Sequence, residues 1–308
     1  MYPAGVSDAR DTGAGATDPS VRWLVPIPKL NEPTMVAVLN GWIDAGGAAR
    51  AAAEAIEDDA AASPIAEFDD DVYIDYRARR PIMELREGLN SVLNWERITL
   101  TLGRDQTGHD VLLLSGPEPD MAWHRFTRLV SDIAVLLGVR QFAHLGAYPF
   151  ATPHTRPARI SVTSPSQDVL MRVPYLRSSL DVPAGAAAAL EHSMHERGIP
   201  SIGIWAQVPH YIASMTYPAA SVALLDGLRE VTDLVIDAAT LRSDVMIQGR
   251  RLDTLVNANE DHMSMISQLE ELYDSSTQPM PGTQGPMLQI ASADELAAEV
   301  EEFLRRQD

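Results

Sequence analysis

An α/β fold with a mixed, largely parallel central sheet flanked by helices is predicted by three features of the sequence. Strand-like and helix-like segments alternate along most of the chain, which is how parallel strands are joined through crossover helices. The apolar runs at 35–40, "MVAVLN", and 111–114, "VLLL", are continuous rather than alternating, as in strands buried on both faces. Between them and the next strand, Trp123, Phe126, Leu129, Val130, Ile133, Leu136 and Leu137 recur at the spacing of a helix face.

Taken in order, residues 1–20 are rich in Gly, Ala, Asp and Thr with almost nothing to bury, and read as a disordered tail. Order is expected from Trp23. The strand at 35–40 lies between Pro33 and Gly41, and a helix is expected over 44–60 with Asp44 at its N-terminus. Residues 57–71 form an acidic segment around a short strand. Carboxylates in a row on an extended chain point to alternate faces, so they do not converge on one ion. Runs at 98–102 and 111–114 flank the loop "GRDQTGHD" and predict a hairpin. A helix over 120–137 ends at Gly138.

"RQFAHLGAYP" is the next strand, followed by a proline-rich loop and the strand "ISVTS". A helix over 184–197 is closed by Gly198 and Pro200, "SIGIWAQVP" is a strand, and "TYPAASVALLDGLREV" is a helix beginning after Pro218. These elements make an α/β core over 21–240. A C-terminal helical extension covers 241–308. From Leu252 the apolar spacing settles into a heptad-like seam, Leu252, Leu255, Asn259, His262, Ile266, Leu269 and Tyr273, with two polar interruptions. A turn-rich linker spans 275–287. A last helix spans 292–306, with Ser292 and Glu295 at capping-box spacing and Leu296, Val300, Phe303 and Leu304 as its stripe. A C-terminal helical hairpin is therefore expected, packed on its own subunit or on a neighbour. A coiled-coil dimer through the same seam is the alternative.

The chain has 308 residues, 45% of them hydrophobic, and a formal net charge of −19. Nucleic acid and anionic membranes both require Lys and Arg, so neither is expected as a partner. Cysteine is absent, which excludes disulfides, thiolate zinc sites, iron–sulfur clusters and cysteine nucleophiles. No apolar run is long enough for a membrane span and the N-terminus has no signal-peptide core, so a cytoplasmic protein is expected.

Four stretches invite chemistry. In "NGWIDAGGAAR" the glycines Gly41, Gly46 and Gly47 precede a helix, where backbone N–H groups can cradle a phosphate. The spacing G-x-x-x-x-G-G matches neither G-x-G-x-x-G nor a P-loop, which needs Lys then Ser or Thr after its second glycine. Trp42 and Asp44 add bulk and negative charge where a phosphate would sit. A tight turn with small residues for close helix packing is the preferred reading. In "LLLSGPEPD", Ser115 lacks the G-x-S-x-G elbow of a serine nucleophile, so Ser115, Gly116 and Glu118 read as turn or cap residues. In "PHTRP", prolines stiffen a loop carrying His154 and Arg156. In "WAQVPHYIASM", His210 and Tyr211 follow a strand end, where open α/β sheets form their clefts. Gly41, Trp42, Asp44, Ser115, Gly116, Glu118, His154, Arg156, His210 and Tyr211 are thus the candidate lining of one cleft. No catalytic signature, cofactor motif or metal-ligand spacing is present. His192 and His195, beside Glu191 and Glu196, read as a surface helix face rather than a metal site.

"GWIDAGGAA", "LLLSGPEPDMAW", "GAYPFATPHTRP" and "WAQVPHYIASMTYPAASVALL" together resemble the proteasome assembly chaperone family, and more closely its bacterial, actinobacterial-type branch. The resemblance covers roughly residues 21–237, and the helical extension also fits that branch. It implies a phosphorylase/hydrolase-like fold and association into oligomers, with a trimer for the bacterial branch. Some members of the family engage proteasomes through a C-terminal hydrophobic–Tyr–any-residue tail. This chain ends "FLRRQD", without that tail.

Two functions are consistent with these features. The preferred one is a non-enzymatic assembly or protein-interaction role, exercised by a homo-oligomer on a protein partner that the sequence does not name. The alternative is a small-molecule-binding protein or a hydrolase/phosphorylase-like enzyme, in which Arg156 and the Gly41 turn hold an anion and His154 or His210 acts as general base.

Overall fold

The computed structural model describes residues 18–177 and 179–275. The first part of the expected tail, nearly all of the linker and the last helix at 292–306 lie outside the described residues.

The predicted sheet is present and has eight strands: β1 (Val21–Trp23), β2 (Thr34–Asn40), β3 (Ser63–Phe68), β6 (Thr99–Arg104), β7 (Asp110–Pro117), β8 (Gln141–Phe150), β9 (Ile160–Thr163) and β10 (Ser201–Pro209). A separate hairpin supplies β4 (Ile82–Arg86) and β5 (Leu89–Asn94). The spatial order is β1-β3-β6-β7-β2-β8-β10-β9. The central four, β7, β2, β8 and β10, are mutually parallel. The outer pairings, β1 with β3, β3 with β6, β6 with β7 and β9 with β10, are antiparallel.

The helices are α1 (Ala48–Asp59), α2 (Asp70–Tyr73), α3 (Trp123–Leu136), α4 (Gln167–Leu170), α5 (Ala186–Glu196), α6 (Pro218–Thr232), α7 (Ala239–Asn257) and α8 (Glu260–Ser275). No helix among the described residues is long and apolar enough to cross a membrane.

Both faces of the central strands are buried, as their continuous apolar runs require. Val36, Val38, Leu113 and Ile204 pack with Ala52 and Ile56 of α1 and Leu224 and Leu228 of α6. Met35, Ala37, Leu112 and Leu114 pack on the other face with Phe126 and Ile133 of α3 and Leu190 and Met194 of α5. Each such buried Val, Leu, Ile, Phe or Met side chain contributes about 1.5–3 kcal/mol relative to exposure. The alternation of odd and even residues between two cores fixes strand register, because a one-residue slip would exchange the faces.

The C-terminal seam is not a single helix. The helix is interrupted at 258–259, so Leu252 and Leu255 lie on α7 while Ile266, Leu269 and Tyr273 lie on α8. Leu252 alone of α7 is buried, and Ile266 and Leu269 are buried from α8. Helix α7 also begins earlier than the apolar spacing indicates, at Ala239.

Candidate functional site

The central strands end side by side. Asn40 of β2 is in register with Pro117 of β7, and Phe150 of β8 with Pro209 of β10. The segments following these four ends therefore share one edge of the sheet, the position where open α/β sheets form clefts. Each candidate residue lies at or near this edge, but the chain's own side chains bind them into separate networks.

The glycine turn is built for packing. Gly46 has φ of 65°, and a Cβ there would lie 2.8 Å from Tyr217 Cβ. Its N–H donates to the Ala213 carbonyl at 2.7 Å, and its carbonyl accepts from Tyr217 N–H at 3.0 Å. The short 3-10 turn Ala45–Gly47 is thereby fastened to the loop that precedes α6. Asp44 then turns its carboxylate onto the N-terminus of α1, accepting from Ala49 N–H at 2.7 Å and Arg50 N–H at 3.1 Å. These are the donors a phosphate would use. Burial pushes the Asp44 carboxyl above its usual range, against the lowering effect of those two N–H groups.

Glu118 plays the same part at α5. Its own N–H donates to the Asn40 carbonyl at 2.6 Å, tying the end of β7 to that of β2. Its Oε2 accepts from Ala186 N–H at 3.0 Å. Burial raises its carboxyl as well. Gly185 lies so close that a Cβ would come 3.0 Å from Glu118 Oε2 and 3.3 Å from Trp42 Cδ1. Gly41, with φ of 132°, lies under the guanidinium of Arg79, whose Nε donates to Asp120 at 3.0 Å. Gly41, Trp42 and Glu118 thus form one group with Arg79, Asp120 and Gly185, and Trp42 remains 50% exposed.

His154, His210 and Tyr211 form a second group. The Tyr211 hydroxyl accepts from His154 N–H at 2.8 Å and lies 2.7 Å from His154 Nδ1. Nδ1 and the phenol share one hydrogen bond, and His154 Nε2 lies 3.5 Å from Asp253 Oδ1 without hydrogen-bond geometry. Burial pushes the His154 imidazole below its usual range, against the pull of Asp253, and raises the Tyr211 phenol. The His210 ring packs edge-on against Tyr211, with its Nδ1 3.4 Å from the Phe150 carbonyl.

Arg156 is engaged by α8. Its Nε and Nη2 reach the two oxygens of Asp274 at 2.9 and 2.8 Å, and its Nη1 reaches Glu270 at 3.0 Å. Thr155 donates to Glu270 as well. Arg159 stacks over the Tyr273 ring at 3.6 Å and donates to the Tyr273 carbonyl, while the Tyr273 hydroxyl donates to the Pro157 carbonyl at 3.0 Å. The proline-stiffened loop is therefore the seat of the C-terminal helices, reached by Asp253 from α7 and by Glu270, Tyr273 and Asp274 from α8.

Ser115 and Gly116 stand apart from both groups. Ser115 lies inside β7, where its hydroxyl donates to Glu57 at 3.3 Å and faces Thr99. A Cβ on Gly116 would lie 2.2 Å from the Arg97 carbonyl, so that glycine admits the neighbouring chain. No hydrogen bond, ion pair or ring contact among the described residues joins the Trp42 group to the His154 group. No cluster of three or more metal-ligating side chains occurs among the described residues. His192 and His195 are exposed, and Glu191 turns inward to His144. A hollow of about 540 Å³ lies away from this edge, lined by Asp226, Arg229, Glu230, Asp233 and Val235 at the far end of α6.

The sequence reading did not identify Arg79, Asp120, Gly185, Asp253, Glu270, Tyr273 or Asp274 as parts of this edge. The spacing of Glu270 and Asp274, one helical turn apart on one face, was the available signal for a guanidinium fork.

Comparison with known proteins places these features in context. A family model described as "PAC2 family" matches residues 38–256. No curated protein matches the chain. Among solved structures, a Corynebacterium glutamicum protein of unknown function is 30% identical, with a TM-score of 0.79 over 84% of this chain and 98% of that one. A Mycobacterium tuberculosis protein of unknown function is 32% identical, with a TM-score of 0.77 over 84% of this chain and 92% of that one. A proteasome-assembly chaperone homologue, also from Mycobacterium tuberculosis, is 29% identical, with a TM-score of 0.70 over 76% of this chain and 99% of that one.

Proposed function

Because the chain belongs to the PAC2 family, in its actinobacterial-type branch, we propose that it is a non-enzymatic, chaperone-like protein that acts by binding other protein chains, its own copies among them. One structural observation carries this reading. At the strand ends, where an α/β enzyme holds its substrate, this chain has installed its own groups. Asp44 and Glu118 cap the two helix N-termini that an anion would use, and α8 occupies Arg156. A homo-oligomer, with the trimer implied by the family resemblance, belongs to the same reading. Since one relative is described as a proteasome-assembly chaperone homologue, proteasome subunits are the first candidate partner.

The alternative, a hydrolase- or phosphorylase-like centre, gains little support. Ser115 and His154 lie in different networks, and a general base must come within hydrogen-bond reach of its substrate.

The test is affinity purification of the full chain from its native cell, paired with addition of the purified chain to unassembled proteasome subunits. A discrete protein partner above a mock control, or faster ring formation, is expected. No partner and no effect on assembly would overturn the reading.

A further inference from the structure

His154 is an ionisable group sealed beneath a lightly held helix. Its side chain is 3% exposed. An imidazolium carries a proton on both ring nitrogens. The Tyr211 hydroxyl lies 2.7 Å from Nδ1, but Nε2 is buried with no hydrogen-bond partner among the described residues. A buried charge needs such partners, because the water that would hydrate it has been excluded.

The charged groups around the ring do not supply them. From α7, Asp253 stands 3.5 Å from Nε2 and is 59% exposed, so water screens its attraction. From α8, Glu270 is committed to Arg156 and Thr155, and Asp274 to Arg156. The loop that carries His154 adds two cations, Arg156 and Arg159. The turn at 210–212 adds Tyr211 and His210, whose ring packs edge-on against Tyr211. Burial outweighs Asp253 and holds the imidazole below its usual range. The helix above Nε2 is fastened lightly. Leu252 is the one buried residue of α7, while Met246, Ile247 and Leu255 are more than half exposed. Elements with few buried apolar contacts open at low cost.

We infer that α7 is an acid-released latch: protonation of His154 favours the state in which α7 has lifted and the imidazolium meets water. This goes beyond the binding of protein chains and concerns how the strand-end edge is uncovered. When α7 lifts, His154 regains the ordinary imidazole value of 6.5. Well above that value both states are neutral and the latch is shut. As pH falls through it towards the lower docked value, protons bind the lifted state better, so docking weakens. Asp274 stays ionised over this range, held so by Arg156. Helix α8 therefore remains seated while α7 moves.

The test measures hydrogen-exchange protection in the full chain, relative to intrinsic rates, from about pH 7.5 to about pH 5.5. Amides over 246–257 should lose protection severalfold, with β2 and β8 unchanged. His154→Asn, neutral throughout, should show no such loss. Asp253→Asn should deepen it, because the one attraction favouring the charged ring is gone. The His154 imidazole resonance, identified by its absence from His154→Asn, should titrate below about 6.5. Protection of α7 that holds constant or rises on acidification would overturn the inference. So would a loss that persists in His154→Asn, which would assign it to another histidine such as His210 or His262. A loss abolished by Asp253→Asn would make that carboxylate the trigger and defeat the proposal equally. If His154→Asn fails to seat α7 even at the higher pH, the ring titration and Asp253→Asn decide. A ring that titrates at or above its ordinary value then refutes the latch.

Discussion

Arg156 grips Asp274 at two points, Nε to one carboxylate oxygen at 2.9 Å and Nη2 to the other at 2.8 Å. This fork joins a loop at the end of the central sheet to the last described helix, and it gives the loop's rigid prolines a purpose. Arg156→Ala should therefore release α8 while leaving the sheet intact. Hydrogen exchange should rise across 260–275 and stay unchanged in β2 and β8. Equal loss of protection in both regions would refute the docking role. The Arg156 hydrogen bonds hold the Asp274 carboxyl below its usual range. A depressed acid contributes stability above its unfolded pKa of about 3.9, and that contribution is lost as pH falls through the lower native value. Protection of α8 amides in the native protein, taken relative to their intrinsic exchange rate at each pH, should accordingly fall below about pH 4, and this acid response should be absent in the alanine variant.

The Asp44 carboxylate accepts two backbone N–H groups of α1. Asp44→Ala should cost about 1–2 kcal/mol in denaturant unfolding, as losing a cap does. Its pH dependence runs opposite to that of Asp274. A carboxyl raised in the folded state contributes stability below its unfolded pKa, and this is lost as pH rises through the native one. Asp44→Asn, which cannot ionise, should gain on the native protein as pH rises from about 4 to 7. A constant difference across that range would show that Asp44 titrates normally.

Tyr211→Phe should leave His154 Nδ1 and the His154 N–H without their partner. Unsatisfied buried polar groups cost about 1–3 kcal/mol each, so a loss of at least 1 kcal/mol on that scale should appear in equilibrium unfolding. Imidazole nitrogen shifts should report a changed tautomer population at His154. Native stability together with an unaltered imidazole spectrum would count against the assigned bond.

Gly46 and Gly47 both have positive φ, but only Gly46 is crowded, and for Gly47 the one close atom is a flexible Arg50 Nη2 at 3.5 Å. Gly47→Ala should cost about 1 kcal/mol, from backbone strain. Gly46→Ala should cost about 2–4 kcal/mol, because overlap with Tyr217 is added. Equal losses at the two positions would contradict the packing role.

The central sheet was legible because its strands are buried on both faces and written as uninterrupted apolar runs. The paired cores then follow from side-chain alternation alone. The β4–β5 hairpin was not read. Its turn, Glu87–Gly88, has both φ values positive but lacks the Asn-Gly or Asp-Gly pair that usually signals such a turn. Nor does either of its strands bury a face, so no in–out alternation could appear. Helix α7 was recognised late for a related reason, since Leu252 is its one buried residue and leaves no stripe to count. The edge at the strand ends was located from sequence, yet its internal wiring was not. That wiring depends on Asp253, Glu270 and Asp274, which lie about a hundred residues beyond the loop they hold, and no local spacing records such a pairing.

The two hydrogen bonds at Gly46, one given to Ala213 and one received from Tyr217, consist wholly of main-chain atoms. A latch of that kind reads length rather than letters. Side chains between 213 and 217 can change without disturbing it, whereas adding or removing one residue there puts donor and acceptor out of step. Because the latch joins the turn before α1 to the loop before α6, such a length change would misplace two helix starts on the same face of the sheet at once.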